Sequence, residues 1–272
     1  MNPPMNFPKE NSWALILGAS SGFGAATACE LARQGFHIAG VHLDRRATLA
    51  NVEQVIQRIQ QTGKSALFFN VNAADAQKRA EVLDQLDSTL NASTPPGQIV
   101  VVLHSLAFGT LKPYLATDPK DALTQEQMEM TLDVMANSLV YWVQELFHRK
   151  LIEQGSRIFA MTSSGGSRVW PTYGAVSAAK AALESHVRQL AMELAPHGIT
   201  ANCIRAGVTD TPALRKIPGH DQMMEFAKLK NPHHRLTTPE DVARAIAALS
   251  NAETQWVTGN VIGADGGEDV VG

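Results

Sequence analysis

Trp13-Ala14-Leu15-Ile16-Leu17-Gly18-Ala19-Ser20-Ser21-Gly22-Phe23-Gly24 is a short apolar run closed by three glycines spaced Gly-x3-Gly-x-Gly. The run predicts a strand over 13–17. The residues after it predict a helix over 23–34, with Ala26, Cys29, Leu31 and Ala32 among its apolar positions. Glycines between a strand and a helix let the backbone turn sharply and approach an anion, while the helix N-terminus offers free N–H groups and a positive dipole end. This position after the first apolar strand predicts a cradle for a dinucleotide pyrophosphate, built from Gly18, Ser20, Ser21, Gly22, Phe23 and Gly24. Glycine also serves any tight strand-to-helix turn, so the rest of the chain must decide between the two.

Outward from this loop the pattern alternates. Strands are predicted over 37–43, 66–71, 99–103, 157–161, 200–204 and 259–263. Helices are predicted over 49–61, 80–90, 125–154 (with an interruption allowed), 175–195 and 238–250. The 99–103 stretch is apolar throughout, as a strand buried on both faces should be. Thr238-Pro239-Glu240-Asp241 marks a helix start, with a Thr cap, Pro in the first turn and two acids at the positive dipole end. Such alternation predicts an α/β fold, a Rossmann-like doubly wound parallel sheet of about seven strands with helices on both faces.

Composition narrows the class. The 272 residues are 44% hydrophobic and 18% charged, which suits one compact domain over 13–272 behind a leader at 1–12 that carries three prolines. A net charge of −3 argues against a nucleic-acid partner. No run reaches the roughly 18 apolar residues a bilayer span requires. Cys29 and Cys203 lack metal-ligand spacing and read as small buried hydrophobes in a reducing, cytoplasmic setting. His233-His234 has no acid or cysteine constellation beside it, so no metal is expected.

Two further stretches carry chemistry. After the second strand comes His42-Leu43-Asp44-Arg45-Arg46, where an acid would bind ribose hydroxyls and an arginine a 2′-phosphate. Residue count puts His42 at the usual place of the acid, with Asp44 two positions late. Arg45 is taken as the 2′-phosphate ligand, so NADPH is expected ahead of NADH. Farther along, Tyr173 and Lys180 lie seven positions apart, about two helical turns, and share a face. A tyrosine near a helix start, beside an ammonium, suits donation of a proton or hydrogen bond to a substrate oxygen. The flanking Ala175, Ala178, Ala179, Ala181 and Ala182 permit close approach, so Lys180 is expected to be enclosed. Amphipathic packing of the tyrosine and a solvated lysine is the plain alternative.

Taken in order, these features resemble the short-chain dehydrogenase/reductase superfamily over about residues 13–267. The likeness includes the glycine loop, Ser163, Tyr173, Lys180, Arg205-Ala206-Gly207-Val208-Thr209-Asp210-Thr211 and the Asp265-Gly266-Gly267 turn. Most members place tyrosine four positions before lysine, where this chain has Val176. The Tyr-x6-Lys spacing and His104-Ser105-Leu106-Ala107-Phe108 resemble the enoyl-acyl-carrier-protein reductase branch. Ser163-Ser164-Gly165 and Thr211-Pro212-Ala213-Leu214 resemble its NADPH-using bacillus type.

The resemblance implies reduction of the trans-2 double bond of an enoyl thioester carried by acyl carrier protein or coenzyme A. Tyr173 and Lys180 would be catalytic, with Ser163 at the place of the usual catalytic serine. Asn70, Val71, Ser105, Leu106, Lys180, Gly207, Thr209 and Thr211 would join the glycine loop and Arg45 in binding the cofactor. Residues 211–235 would form a substrate lid that includes an amphipathic helix over 221–230, and the assembly would be a homotetramer. Many enoyl reductases carry a second tyrosine where Ser163 stands, and that serine keeps a ketone or β-ketoacyl substrate as the alternative. Ordinary members use an asparagine in the fourth helix. The gapless match puts Met135 there, so Asn137 is read as a helix-surface residue. A non-enzymatic dinucleotide sensor is a third reading, which the intact Tyr173, Lys180 and glycine loop oppose.

Overall fold

The computed structural model describes residues 10–271, so most of the expected leader over 1–12 lies outside the described residues. Ser12 already belongs to the first strand. Seven parallel strands form one sheet: β1 Ser12–Leu17, β2 His37–His42, β3 Ala66–Asn70, β4 Gln98–His104, β5 Arg157–Ser163, β6 Thr200–Ala206 and β7 Val261–Ala264. Their spatial order is β3-β2-β1-β4-β5-β6-β7. Helices α1 Gly22–Arg33, α2 Leu49–Gln60 and α8 Pro239–Leu249 pack one face through Leu31, Ile59 and Ile246. Helices α3 Ala76–Asn91, α5 Ser138–His148 and α6 Gly174–Leu194 pack the other through Leu83, Trp142 and Leu183. Burial on both faces explains why β1 and most of β4 read as unbroken apolar runs. The doubly wound α/β fold expected from the sequence is the fold observed.

Strand order reverses at β1 and β4, and the crevice beyond the carboxyl ends of strands at such a switch point is where ligands bind in open α/β sheets. The glycine loop leaves β1 there, and Ser105 leaves β4 beside it, its N–H donating to Leu17 O at 2.8 Å.

The long helix and three of the strands differ from expectation for local reasons. The long helix expected over 125–154 is broken into α4 Gln125–Leu132, a π-helical turn Asp133–Asn137 and α5. At that turn the Ser138 hydroxyl donates to Val134 O at 2.8 Å and meets His104 Nε2 at 2.9 Å. The helix then ends before Lys150, which has a positive φ of 57°. Strands β5 and β6 each run two residues past the expected ends, through Ser163 and Ala206, because Thr162–Arg205 and Ser163–Ala206 continue the parallel ladder. β7 starts at Val261 because Gly259, at φ 76°, turns the chain before it.

The start of α8 matches its sequence signal. Thr238 and Asp241 form a reciprocal capping box, and Arg235 and Arg244 both pair with the Asp241 carboxylate. The Arg235 hydrogen bond foremost, with those from Thr238, holds the Asp241 carboxyl well below its ordinary range. Helix α7 His220–Lys230 forms within one residue of the stretch expected over 221–230. No helix among the described residues is long and apolar enough to cross a membrane.

Candidate active site

Close backbone approach defines the glycine loop. Gly18 has φ 93°, and a Cβ there would collide with Ser105 O. A Cβ on Gly24 would collide with Gly18 O, so the first turn of α1 rests directly on the loop. Gly22, at φ 53°, would place a Cβ 3.4 Å from Thr211 Cγ2, so the segment after β6 faces the loop. Ser21 is the N-cap residue of α1, but its side chain makes no capping bond. The first N–H groups are therefore available to an anion. This cradle, shaped by atoms a side chain would displace, fits a dinucleotide pyrophosphate. Gly24→Ala is expected to cost about 2 kcal/mol of stability, or roughly 6 °C in Tm, and to weaken dinucleotide binding. A thermal melt and a cofactor titration check it; unchanged values in both would remove the close-approach argument.

At the end of β2, His42 Nδ1 lies 3.0 Å from Asp44 Oδ2. Burial pushes the Asp44 carboxyl up, but Thr48 and Ser20 hydroxyls together with His42 outweigh it and hold the group below its ordinary range. Asn70 closes the same loop, accepting from Asp44 N at 2.9 Å and donating to Asp44 O at 3.0 Å. Asp44 is thus bonded inward towards the glycine loop. Arg45 and Arg46 are exposed, with no ion pair among the described residues. Val71 follows β3, its N–H donating to His42 O at 2.8 Å.

The structure brings Ser163 and Tyr173 together, with Lys180 of α6 bonded to Met161 of the same strand that Ser163 ends. Ser163 ends β5, and Tyr173 is the residue immediately before α6. A Cβ on Gly165 would lie 2.5 Å from Tyr173 Cε1 and 3.2 Å from Ser163 Oγ, so phenol ring and hydroxyl flank the same point. Burial raises the Tyr173 phenol pKa, and the nearby Ser163 hydroxyl opposes the rise. The net upward direction keeps the phenol protonated at neutral pH, as a donor. The Ser163 Oγ itself is buried and closes no hydrogen bond.

Lys180 is enclosed, as the alanine flank implied, with only 6% exposure. Its Nζ donates to Met161 O at 2.7 Å. Burial lowers its pKa to about 8, against the pull of Cys203 and Glu184. Glu184 is in turn bonded by the Thr162 hydroxyl at 2.7 Å. His104 is fully buried, and burial, with Lys180 adding to it, lowers its pKa to about 3. Because the single Ser138 proton goes to Val134 O, the neutral imidazole donates from Nε2 to Ser138 and leaves Nδ1 without a partner.

Val176, four positions before Lys180, is buried in the core and carries no hydroxyl. A Cβ on Gly109 would lie 2.9 Å from both Val176 Cγ2 and Met135 Sδ, so these two side chains form an apolar wall there. Asn137 Oδ1 instead accepts from His186 Nε2 of α6 at 3.1 Å.

Several site neighbours escaped the sequence reading. Tyr114 lies over the start of α6, its hydroxyl 2.9 Å from where a Gly174 Cβ would be. Trp170 Nε1 donates to Pro218 O at 3.2 Å, joining the loop before Tyr173 to the stretch before α7. Glu268 accepts from Val208 N through both carboxylate oxygens, at 3.2 and 3.1 Å. None of these has a spacing signal; each contact is made between segments distant in sequence.

Known proteins similar to this chain are named as reductases and oxidoreductases. The family model described as Enoyl-(Acyl carrier protein) reductase matches residues 18–268. The chain is 30% identical to the uncharacterized oxidoreductase YjdA of Bacillus subtilis over 93% of its own length and 95% of that protein. It is 26% identical to versicolorin reductase 1 of Dothistroma septosporum, over 96% and 97% of the two chains. A solved enoyl-[acyl-carrier-protein] reductase (NADH) from Aquifex aeolicus superposes with a TM-score of 0.82 at 24% identity, covering 97% of this chain and 98% of that one.

Proposed function

The chain belongs to the short-chain dehydrogenase/reductase superfamily, and from that premise we propose that it reduces the carbon–carbon double bond of an enoyl thioester with a nicotinamide cofactor. The observation that carries the reading is the Tyr173–Lys180 pair at two-turn spacing, with apolar Val176 buried where most members keep their tyrosine. The cofactor, when bound, supplies the hydride. Gly18, Ser20, Ser21, Gly22, Phe23 and Gly24 would hold its pyrophosphate, and Arg45 a 2′-phosphate, which makes NADPH the preferred form. Asn70, Val71, Ser105, Leu106, Gly207, Thr209 and Thr211 would line the rest of its path.

The residues divide the chemistry. Tyr173, protonated at neutral pH, donates a hydrogen bond to the thioester oxygen as enolate charge develops there. That interaction stabilises the transition state more than the ground state. Lys180 would hold the ribose hydroxyls on the nicotinamide side. His104 stays neutral and adds no competing charge beside Lys180. Residues 211–235 act as a lid over the acyl chain, anchored by Trp170 at Pro218, with Phe226 and Leu229 of α7 exposed to meet an apolar substrate. The working form would be a homotetramer in the cytoplasm, and its thioester carrier either acyl carrier protein or coenzyme A.

One observation favours a second reading. Ser163 Oγ is buried, unpartnered and beside the phenol, which is where a second donor to a ketone or β-ketoacyl oxygen would stand. A panel of enoyl and acetoacetyl thioesters, each with NADPH and NADH, separates the two by loss of reduced-nicotinamide absorbance. The expected result is turnover of enoyl thioesters, faster with NADPH. Turnover of keto substrates with enoyl thioesters inert would replace the first reading by the second. No oxidation of either cofactor with any substrate would sink both.

A further inference from the structure

The segment after β7 places two carboxylates against the two loops that frame the site. Glu268 is only 9% exposed. Both of its carboxylate oxygens accept from Val208 N, the middle residue of Gly207-Val208-Thr209. The fit is close: a Cβ on Gly207 would lie 2.8 Å from Glu268 Oε2 and 3.1 Å from Asp265 Cβ, and would collide with Thr237 Oγ1. The next residue, Asp269, bridges Arg205 Nη1 and Arg168 Nη2, each at 3.0 Å. Arg168 lies in the loop that joins Ser163 to Tyr173, and it also donates to Asp269 O at 3.0 Å. One dipeptide therefore touches both the loop after β6 and the loop before the tyrosine.

The Glu268 carboxylate has no ion-pair partner among the described residues. Burying an unpaired carboxylate is expensive, and its pKa is raised, by burial first. An apolar side chain of similar length would pack there at less cost. A backbone N–H alone does not demand a carboxylate, since a neutral acceptor would satisfy it. What a carboxylate adds is a stronger, charge-assisted bond that fixes the Val208 peptide in one orientation.

We infer that Glu268 is a positioning residue that fixes the Gly207–Thr209 backbone for the nicotinamide half of the cofactor, with Asp269 tying the end of β6, through Arg205, to the loop before Tyr173. The inference rests on the proposed cofactor reading. It separates the two halves of the dinucleotide, because Glu268 touches the loop after β6 while the residues proposed for the adenine half, the glycine loop and Arg45, follow β1 and β2.

The test compares two probes by calorimetric titration: intact NADPH and 2′-phospho-ADP-ribose, which lacks the nicotinamide. Glu268→Met fills the same volume without an acceptor, and Glu268→Gln restores a neutral acceptor. Glu268→Met is expected to raise Kd for NADPH about tenfold and to leave 2′-phospho-ADP-ribose within about twofold. Glu268→Gln, which keeps an acceptor but loses the charge, is expected to recover only part of the NADPH affinity. Equal weakening of both probes, or no change in either, overturns the inference while leaving the function reading in place. Failure of both variants to fold also overturns it, since the carboxylate would then serve the fold. If the wild-type protein binds neither probe, the same comparison is made with NADH and ADP-ribose, and binding of none of the four makes the function reading fall and takes the inference with it.

Discussion

Tyr173→Phe is expected to lower kcat by about 1,000-fold while leaving the Kd for NADPH within about twofold. The substitution removes one oxygen and keeps the ring that packs against Gly165. The phenol is held protonated by burial, so its role in the proposed reaction is that of a donor present before charge develops. A donor aimed at a developing oxyanion acts mainly on the transition state, so the loss should fall on kcat and not on cofactor affinity. Folding should be little affected, because Tyr173 is half-buried and precedes α6 without capping it. Steady-state kinetics on the best thioester, with a parallel cofactor titration, checks this. Full activity in the phenylalanine variant would mean that the oxygen is stabilised by another group, with the Ser163 hydroxyl beside the ring.

The physics of each element decides how much of the fold and site was legible in the sequence. Parallel strands buried on both faces must be apolar throughout, so β1 and β4 stood out as runs. The glycine loop was legible because close backbone approach at Gly18 and Gly24 admits no other residue cheaply. Enclosure of Lys180 could be read from the alanines around it, since small residues let the neighbouring backbone close over the helix. The π-helical turn at Asp133–Asn137 could not, because it accompanies a contact between Ser138 and His104, residues 34 positions apart. The polar ends of β5 and β6 were cut short for a similar reason. Thr162, Ser163 and Arg205 look like loop residues until the ladder between the two strands holds them. Glu268 and Trp170 gave no signal either, as each meets a partner that only the fold brings near. The strands, the glycine loop and the enclosure of Lys180 were thus readable from residue type and spacing, whereas contacts between distant segments were not.

Lys180→Met should separate function from stability most sharply, abolishing turnover by about 100-fold or more while making the cofactor-free protein more stable at pH 7. Burial lowers the Lys180 pKa from 10.5 to about 8. Between those values the unfolded chain holds a proton that the folded chain has released, so wild-type stability rises with pH through that window. Below about pH 8 both states are protonated and the full cost of burying the ammonium is present. That cost is on the order of 3 kcal/mol from the shift, offset by about 1 kcal/mol for the bond to Met161 O. Methionine removes the charge and fills a similar volume, leaving a net gain of about 2 kcal/mol at pH 7. The gain should shrink as pH rises towards 10, where the wild-type lysine is neutral in the folded state. Its neighbour His104, with a pKa of about 3, stays uncharged across this range and does not confuse the readout. Denaturant unfolding of both proteins at pH 7 and near pH 10 measures the difference directly. A variant less stable than wild type at pH 7, or a difference independent of pH, would show that the fold does not bear the cost of this ammonium. A loss of turnover alongside the gain would mean that the buried charge is retained for the reaction, at the expense of the fold that encloses it.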